Sequence, residues 1–234
     1  MKAVILAAGL GTRMRPYTYF VPKAMLPLGN KPALEHILDW LKENSVTHVI
    51  LCVSYLRHMI ESYFGDGSHW NMRIEYVYSE KPMGTAGQLK TAEHKLEDTF
   101  LCIYSDSILR FNLSEVEEFH RKRGAAATIL LVNYEHVVPY GFVELDSEGV
   151  VRGWREKPVV RGLINTGYYL MEPRFLKYIP ENTPTSMDAA FQRAIENKET
   201  ILGRVVEGEF IDLGDKRSYT QAYKRYLERL GPMA

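Results

Sequence analysis

Hydrophobic and polar positions follow two alternating regimes along this chain. "KAVIL" (2–6), "HVILCVS" (48–54) and "TFLCIYSD" (99–106) are nearly unbroken apolar runs, the first two rich in β-branched residues. Such runs predict strands covered on both faces, as in a parallel sheet. Between the first two, "PALEHILDWLKEN" (32–44) sets Leu34, Ile37, Leu38 and Leu41 on one helical stripe, with Pro32 near its start and Asn44 near its end. The same reading predicts a helix in "YLRHMIESYFG" (55–65), a strand in "MRIEYVYS" (72–79) and a helix in "GTAGQLKTAEHKLE" (84–97). Strand and helix alternate to about residue 132, which predicts a doubly wound open sheet.

The remainder is less regular. "GFVELDSEGVVRGWREKP" (141–158) predicts a hairpin turning at Ser147 to Gly149, and "INTGYYLM" (164–171) a further strand. Tyr168 and Tyr169 are neighbours on that strand, so at most one can face a pocket. Helices follow in "SMDAAFQRAIENK" (186–198) and "DKRSYTQAYKRYLERL" (215–230), with Asp215 as the cap of the latter. No repeat or low-complexity linker interrupts the pattern, so a single domain over 1–234 is expected.

Charge removes some function classes. The 29 basic residues cancel the 29 acidic ones among 234, leaving no global field to recruit nucleic acid or an anionic membrane. Any anion site must then be a local cluster. The two cysteines, Cys52 and Cys102, sit inside apolar runs, which predicts buried, inert thiols and a reducing compartment. Apolar runs such as "AAATILLV" (125–132) are too short to span a membrane, and the opening stretch lacks the flanks of a signal peptide. A cytoplasmic protein is expected. The seven histidines show no metal-ligand spacing, and packing or surface roles are expected for them.

The candidate chemistry begins after the first strand. "LAAGLGTRMRPYT" (6–18) and "PKAMLP" (22–27) belong to a connection of about 25 residues, where two to six are usual. Gly9 and Gly11 allow close approach of a ligand to the backbone, and Arg13 and Lys23 can meet phosphate oxygens. Neither the dinucleotide fingerprint nor the Walker A pattern is complete: position 14 is Met, and no Gly-Lys-Ser/Thr follows. In an open parallel sheet, ligands bind outside the carboxyl ends of the strands. Asp106 ends a strand there, as a turn cap or as a Mg²⁺ ligand, and Asp212 in "GEFIDLGD" is a second candidate.

The ordered set "LAAGLGTRMRPYT..VPKAMLP", "FGDGS", "EKPMGTAG", "YSD", "YGFVELD", "REKP", "NTGYYLM" and "FIDLGD" resembles the sugar-1-phosphate nucleotidylyltransferases, or nucleotide-sugar pyrophosphorylases, over essentially the whole chain. The mannose-1-phosphate guanylyltransferases are the nearest likeness. The resemblance implies a Rossmann-like open mixed, mainly parallel sheet flanked by helices, the nucleotide-diphospho-sugar transferase fold. It also implies Mg²⁺ dependence and a reaction between a sugar-1-phosphate and a nucleoside triphosphate that gives a nucleotide-sugar and pyrophosphate. These small molecules would be the partners, with a homo-oligomer left open.

Carried over by position, the resemblance puts Leu6, Ala8, Gly9, Gly11 and Thr12 around the nucleoside and phosphates. Arg13 and Lys23 would hold the triphosphate, and Gly84 and Thr85 would face the base. Asp106 and Asp212 would share the metal. Lys157 would bind the sugar phosphate, while Gly141, Glu156, Asn165 and Gly167 would line the sugar pocket. Ser105 stands where many relatives have Gly, and Ala24 where others carry Pro or Gln; neither removes a charge. Many relatives continue into a C-terminal left-handed β-helix, and the absence of hexapeptide repeats here leads to the expectation that this domain is lacking.

A sugar phosphate has its second pKa near ~6, so its oxygen is already anionic at neutral pH and no general base is needed. Cations and metal that bring two anions together suffice. A regulatory paralogue would be expected to lose one of them, yet Arg13, Lys23, Asp106, Lys157 and Asp212 are all present. The same reaction on glucose-1-phosphate with dTTP or UTP is the alternative. Glu80 in "SEKPMGTAG" bears on that choice, because one carboxylate can accept both N1–H and the N2 amino group of guanine. Its other reading is a solvated charge beside Lys81.

Overall fold

The computed structural model describes residues 1–230. The apolar runs form β1 (Lys2–Leu6), β2 (His48–Val53), β3 (Arg73–Tyr78) and β4 (Phe100–Tyr104), which lie parallel in the order β3-β2-β1-β4. Helices α1 (Ala33–Glu43), α2 (Arg57–Phe64) and α3 (Gly84–Thr91) connect them. Next come β5 (Ser107–Leu109), α4 (Leu113–Arg123), β6 (Ala127–Val137), and the hairpin of β7 (Phe142–Leu145) and β8 (Val151–Arg155). Strand β9 (Val159–Met171), α5 (Met187–Glu196), β10 (Ile201–Val205), β11 (Phe210–Asp212) and α6 (Lys216–Leu230) complete the chain. The central sheet has seven strands in the order β10-β6-β9-β4-β1-β2-β3. Only β9 runs antiparallel to its neighbours, so the mixed, mainly parallel sheet is as expected.

The sheet separates two apolar cores, and strand alternation assigns residues to them. Ile5, Leu51, Ile103 and Tyr168 face α1, whose stripe of Leu34, Ile37, Leu38 and Leu41 is fully buried. Val4, Cys52, Cys102 and Tyr169 face α3 and α5. Each such side chain contributes about 1.5 to 3 kcal/mol over leaving it in water. Both cysteines are free and buried, and burial pushes the Cys52 thiol up to about 12 and the Cys102 thiol upward as well. No described helix is long and apolar enough to cross a membrane.

Three element boundaries differ from the sequence reading. Helix α2 starts at Arg57 because Leu56 has φ 54°, in the left-handed region. Helix α3 stops at Thr91 rather than near Glu97: Thr91 Oγ1 donates to Gln88 O at 2.6 Å, and Ala92 N turns back three residues to Leu89 O. Strands β6 and β9 run on to pair Val137 with Val159, an exposed antiparallel ribbon held by backbone hydrogen bonds and lacking the unbroken apolar run of a buried strand.

Candidate active site

The site follows from strand register. Leu6 pairs with Tyr104, so the carboxyl ends of β1 and β4 lie side by side. Ala7 N donates to Cys52 O at 2.8 Å and Ser105 N to Leu6 O at 3.3 Å, carrying the ladder to the sheet edge. The long connection after Leu6 opens there, as does Asp106.

That connection is ordered by its own small core. Met14, Thr18, Ala24 and Leu28 are buried, and short turns at Thr12–Met14, Tyr17–Tyr19 and Lys23–Met25 fold it back on itself. Gly11 has φ 60°, and its carbonyl accepts from Thr18 Oγ1 at 2.7 Å and from Met14 N at 2.9 Å. A Cβ at position 11 would meet Thr18 Cγ2 at 2.8 Å, whereas one at Gly9 would meet nothing within 4 Å. Gly9 thus presents bare backbone to open space.

A cavity of about 210 Å³ lies against this backbone. Leu6, Gly9, Gly11 and Thr12 form its loop wall, Arg13 and Lys23 its cations, and Thr85 and Asp106 the facing side. Lys23 is largely buried, with Nζ 2.6 Å from Asp106 Oδ2 and 2.7 Å from Gly214 O. Arg13 is the arginine on the wall of this cavity; Arg15, whose guanidinium lies 4.9 Å above the Tyr19 ring, is not part of the lining.

The second carboxylate arrives by a separate ladder. Strand β11 pairs antiparallel with β5, setting Asp212 opposite Ser107, and Leu213 N donates to Asp106 O at 2.8 Å. Asp212 Oδ1 accepts from Gly214 N at 2.7 Å, the same residue whose carbonyl holds Lys23. The Asp212 side chain is exposed and lines a neighbouring cavity of about 690 Å³ under α6, not the one that holds Arg13. Asp215 caps α6 by accepting from Ser218 N at 2.9 Å, and that hydrogen bond lowers its pKa.

Among the described residues no three acidic, histidine or cysteine side chains converge as a metal cage. Two carboxylates on adjoining ladders are what remains. Oxygen donors in that number suit a hard divalent ion that completes its coordination with water and substrate phosphates.

On the other side of the loop, Ala8 and Leu10 face a cavity of about 460 Å³ that Glu80 also lines. The start of α3 is fixed from behind. Gly84 has φ 68°, and a Cβ there would come 2.5 Å from Thr185 O. Thr85 Oγ1 accepts from Met187 N at 2.8 Å, so its hydroxyl both caps α5 and lines the first cavity. Gln88 Oε1 accepts from the buried Ala8 N at 3.1 Å. Gln88, Tyr104 and Gly214 complete the cavity wall without having stood out in the sequence. The signal for Gln88 was a polar residue in a helix whose other inward positions are Ala86, Gly87 and Leu89.

The residues matched to a sugar pocket form two groups, neither of which lines the Arg13 cavity. Asn165 and Gly167 make a bulge in β9: Asn165 Oδ1 accepts from Gly167 N at 3.0 Å, and Asn165 Nδ2 donates to Tyr169 OH at 2.7 Å. Gly167 has φ 78°, and a Cβ there would strike the Tyr104 ring at 2.7 Å. Burial beside it pushes the Tyr104 phenol up to about 12. Gly141 and Glu156 meet across the β7–β8 hairpin, where Glu156 Oε2 accepts from Trp154 Nε1 at 3.1 Å. Lys157 follows, exposed and with φ 43°.

Comparison with known proteins agrees with this layout. The family model described as Nucleotidyl transferase matches residues 2–229. The UTP–glucose-1-phosphate uridylyltransferase of Synechocystis sp. is 34% identical, over 98% of this chain and 64% of its own length. The mannose-1-phosphate guanylyltransferase catalytic subunit beta of Xenopus tropicalis is also 34% identical, over 97% and 65%. The chain therefore spans about two thirds of the length of the curated relatives it matches. Among solved structures, HddC from Yersinia pseudotuberculosis complexed with GMP-PN superposes with a TM-score of 0.74 at 25% identity, covering 96% of this chain and 99% of that one. A match that runs from the first strand into the last helix, on a fold that gathers the loop and its carboxylates at one sheet edge, makes this chain a member of the nucleotidyl transferase family.

Proposed function

We propose that this chain is a sugar-1-phosphate nucleotidylyltransferase. The observation that carries the reading is the convergence of Gly9, Gly11, Arg13, Lys23 and Asp106 on one cavity at the carboxyl edge of the sheet. Open backbone at Gly9 and two cations suit a triphosphate, and the sugar phosphate arrives as an anion that needs no base. Its oxygen forms a bond to the α-phosphorus while the bond to pyrophosphate breaks. Arg13 and Lys23 stabilise the charge that develops on the α-phosphoryl and the departing group. Lys157, with Gly141, Glu156, Asn165 and Gly167, receives the sugar phosphate from the hairpin side. Thr85 on the wall of the first cavity, with Gly84 before it, would meet the nucleotide from the start of α3.

Asp106 and Asp212 would hold Mg²⁺, which when bound neutralises phosphate charge and helps to orient the two substrates. The favoured pair is GTP with mannose-1-phosphate, in the cytoplasm, supported by Glu80 on the wall of the cavity that Ala8 and Leu10 face and by the guanylyltransferase relative. Glucose-1-phosphate with UTP is the second reading, favoured by the uridylyltransferase relative at the same identity. Pyrophosphate release, measured for GTP, UTP and dTTP against mannose-1-phosphate and glucose-1-phosphate, decides between them. Turnover with GTP and mannose-1-phosphate above all other pairs is expected; no release with any pair would leave a binding protein instead.

A further inference from the structure

The cavity beyond Ala8 and Leu10 has a feature that the phosphate chemistry does not use. Its other walls are the turn of Ser54, Tyr55 and Arg57 and the segment of Ser79, Glu80 and Pro82. Among the described residues, Ser79 Oγ is the buried side-chain polar atom with no hydrogen-bond partner. The residue is 6% exposed and its backbone is satisfied: Ser79 N donates to Val53 O at 3.1 Å, and Ser79 O accepts from Ser54 Oγ at 2.6 Å. Native folds rarely leave such a hydroxyl unpaired unless something else completes it.

The opposite wall is built at a conformational cost. Leu56 holds φ 54°, a region that branched side chains avoid, and strain of this kind collects at ligand sites. The consequence is that α2 begins at Arg57 on the cavity rim. Tyr55 OH donates to Tyr19 O at 3.0 Å, tying this turn to the phosphate loop. The Arg57 guanidinium lies 4.5 Å above the Tyr78 ring, which holds it against the end of β3.

The walls of one cavity thus carry a guanidinium, a carboxylate at Glu80 and, at Ser79, a buried hydroxyl with no partner in the fold. We propose that Arg57 and Ser79 are specificity-determining residues that select a 6-oxopurine nucleotide, Arg57 donating to O6 and N7 and Ser79 Oγ bonding the same base. This rests on the nucleotidylyltransferase reading and deepens it. A guanidinium matches the adjacent O6 and N7 acceptors of guanine bidentately. Adenine would set its amino donor against Arg57. Uracil and thymine have no such acceptor pair, since their carbonyls flank an N–H.

The test compares GTP, ITP, 7-deaza-GTP and UTP in the full chain, wild type against Arg57→Ala and Ser79→Ala. Both kcat/KM and calorimetric dissociation constants are measured, so a chain without turnover still reports on base choice. Wild type is expected to prefer GTP over 7-deaza-GTP about tenfold and to accept ITP, which keeps O6 and N7. Arg57→Ala should bring the GTP to 7-deaza-GTP ratio near unity and lower the GTP to UTP ratio at least tenfold. Ser79→Ala should lower GTP use several-fold at an unchanged melting temperature. If the GTP to 7-deaza-GTP ratio is the same in wild type and Arg57→Ala, the assignment is wrong. Preferred turnover of UTP with unmoved ratios would overturn the base assignment and leave the reaction standing. Selective GTP binding without pyrophosphate release would do the reverse.

Discussion

Lys23 Nζ lies 2.6 Å from Asp106 Oδ2, joining positions 83 residues apart. The pair links the loop after β1 to the end of β4, and Gly214 O, 2.7 Å from the same ammonium, adds the segment that carries Asp212. One cation thus gathers three strand ends, and the phosphate site and both carboxylates share a single support.

The first prediction concerns those carboxylates. Asp106→Asn and Asp212→Asn should each lower kcat by about 10² or more, since an amide is a poor ligand for a hard divalent ion. Circular dichroism should show the native fold in both. Rates at limiting Mg²⁺ are the check: a variant that keeps the wild-type rate there has no metal role.

Arg13 and Lys157 lie in different parts of the molecule, one in the first cavity and one at the hairpin base. Arg13→Ala should therefore weaken triphosphate use, and Lys157→Ala sugar-1-phosphate use, by about 1.5 to 3 kcal/mol each in kcat/KM. Equal loss for both substrates in either variant would remove the case for separate subsites.

Glu80→Gln tests base choice through a carboxylate. The expected change is a fall in the GTP to UTP ratio of kcat/KM by about 1 to 3 kcal/mol, the scale of one bidentate base contact. An unmoved ratio would return Glu80 to its other reading, a solvated charge beside Lys81.

Far from the site, Glu75 on β3 accepts from Lys95 Nζ at 2.6 Å, pairs with His48 Nε2 at 2.6 Å and lies 2.9 Å from Arg73. The Lys95 hydrogen bond, followed by that of His48, holds its carboxyl down at about 2. A folded-state pKa below the unfolded one contributes stability that is present above about 4.5 and fades as pH falls toward 2. Glu75→Gln should then cost about 1 to 2 kcal/mol at neutral pH, allowing for solvent screening of a partly exposed group. Urea titrations at a series of pH values should show that difference closing through the same window, and a constant difference would contradict it.

Much of this architecture is legible in the sequence. The stripe of Leu34, Ile37, Leu38 and Leu41 and the runs of β1, β2 and β4 are fixed by burial, which leaves a periodic mark on the sequence. Placing Arg13, Lys23 and Asp106 together needed only the rule that loops follow the carboxyl ends of strands. Hydrogen bonds between distant segments leave no such mark. Gln88 reaches Ala8 N, Thr85 caps α5 from another helix, and Asp212 enters through the short β5–β11 ladder, all set by three-dimensional approach. The exposed β6–β9 ribbon leaves little mark for the opposite reason, having backbone pairing but no buried face, since Val137, Val159, Val160 and Leu163 are all exposed.

Successive residues of the phosphate loop divide between two compartments: Ala7 and Gly9 line one cavity, Ala8 and Leu10 the other. Surface loops ordinarily accept added or lost residues with little penalty. Here a single inserted residue would exchange every side chain between the compartments and move Gly11 off its left-handed position against Thr18. Insertion scanning should accordingly find the tip at Ser147 to Gly149 permissive and the stretch from Ala7 to Gly11 intolerant of any change in length, whatever the residue inserted.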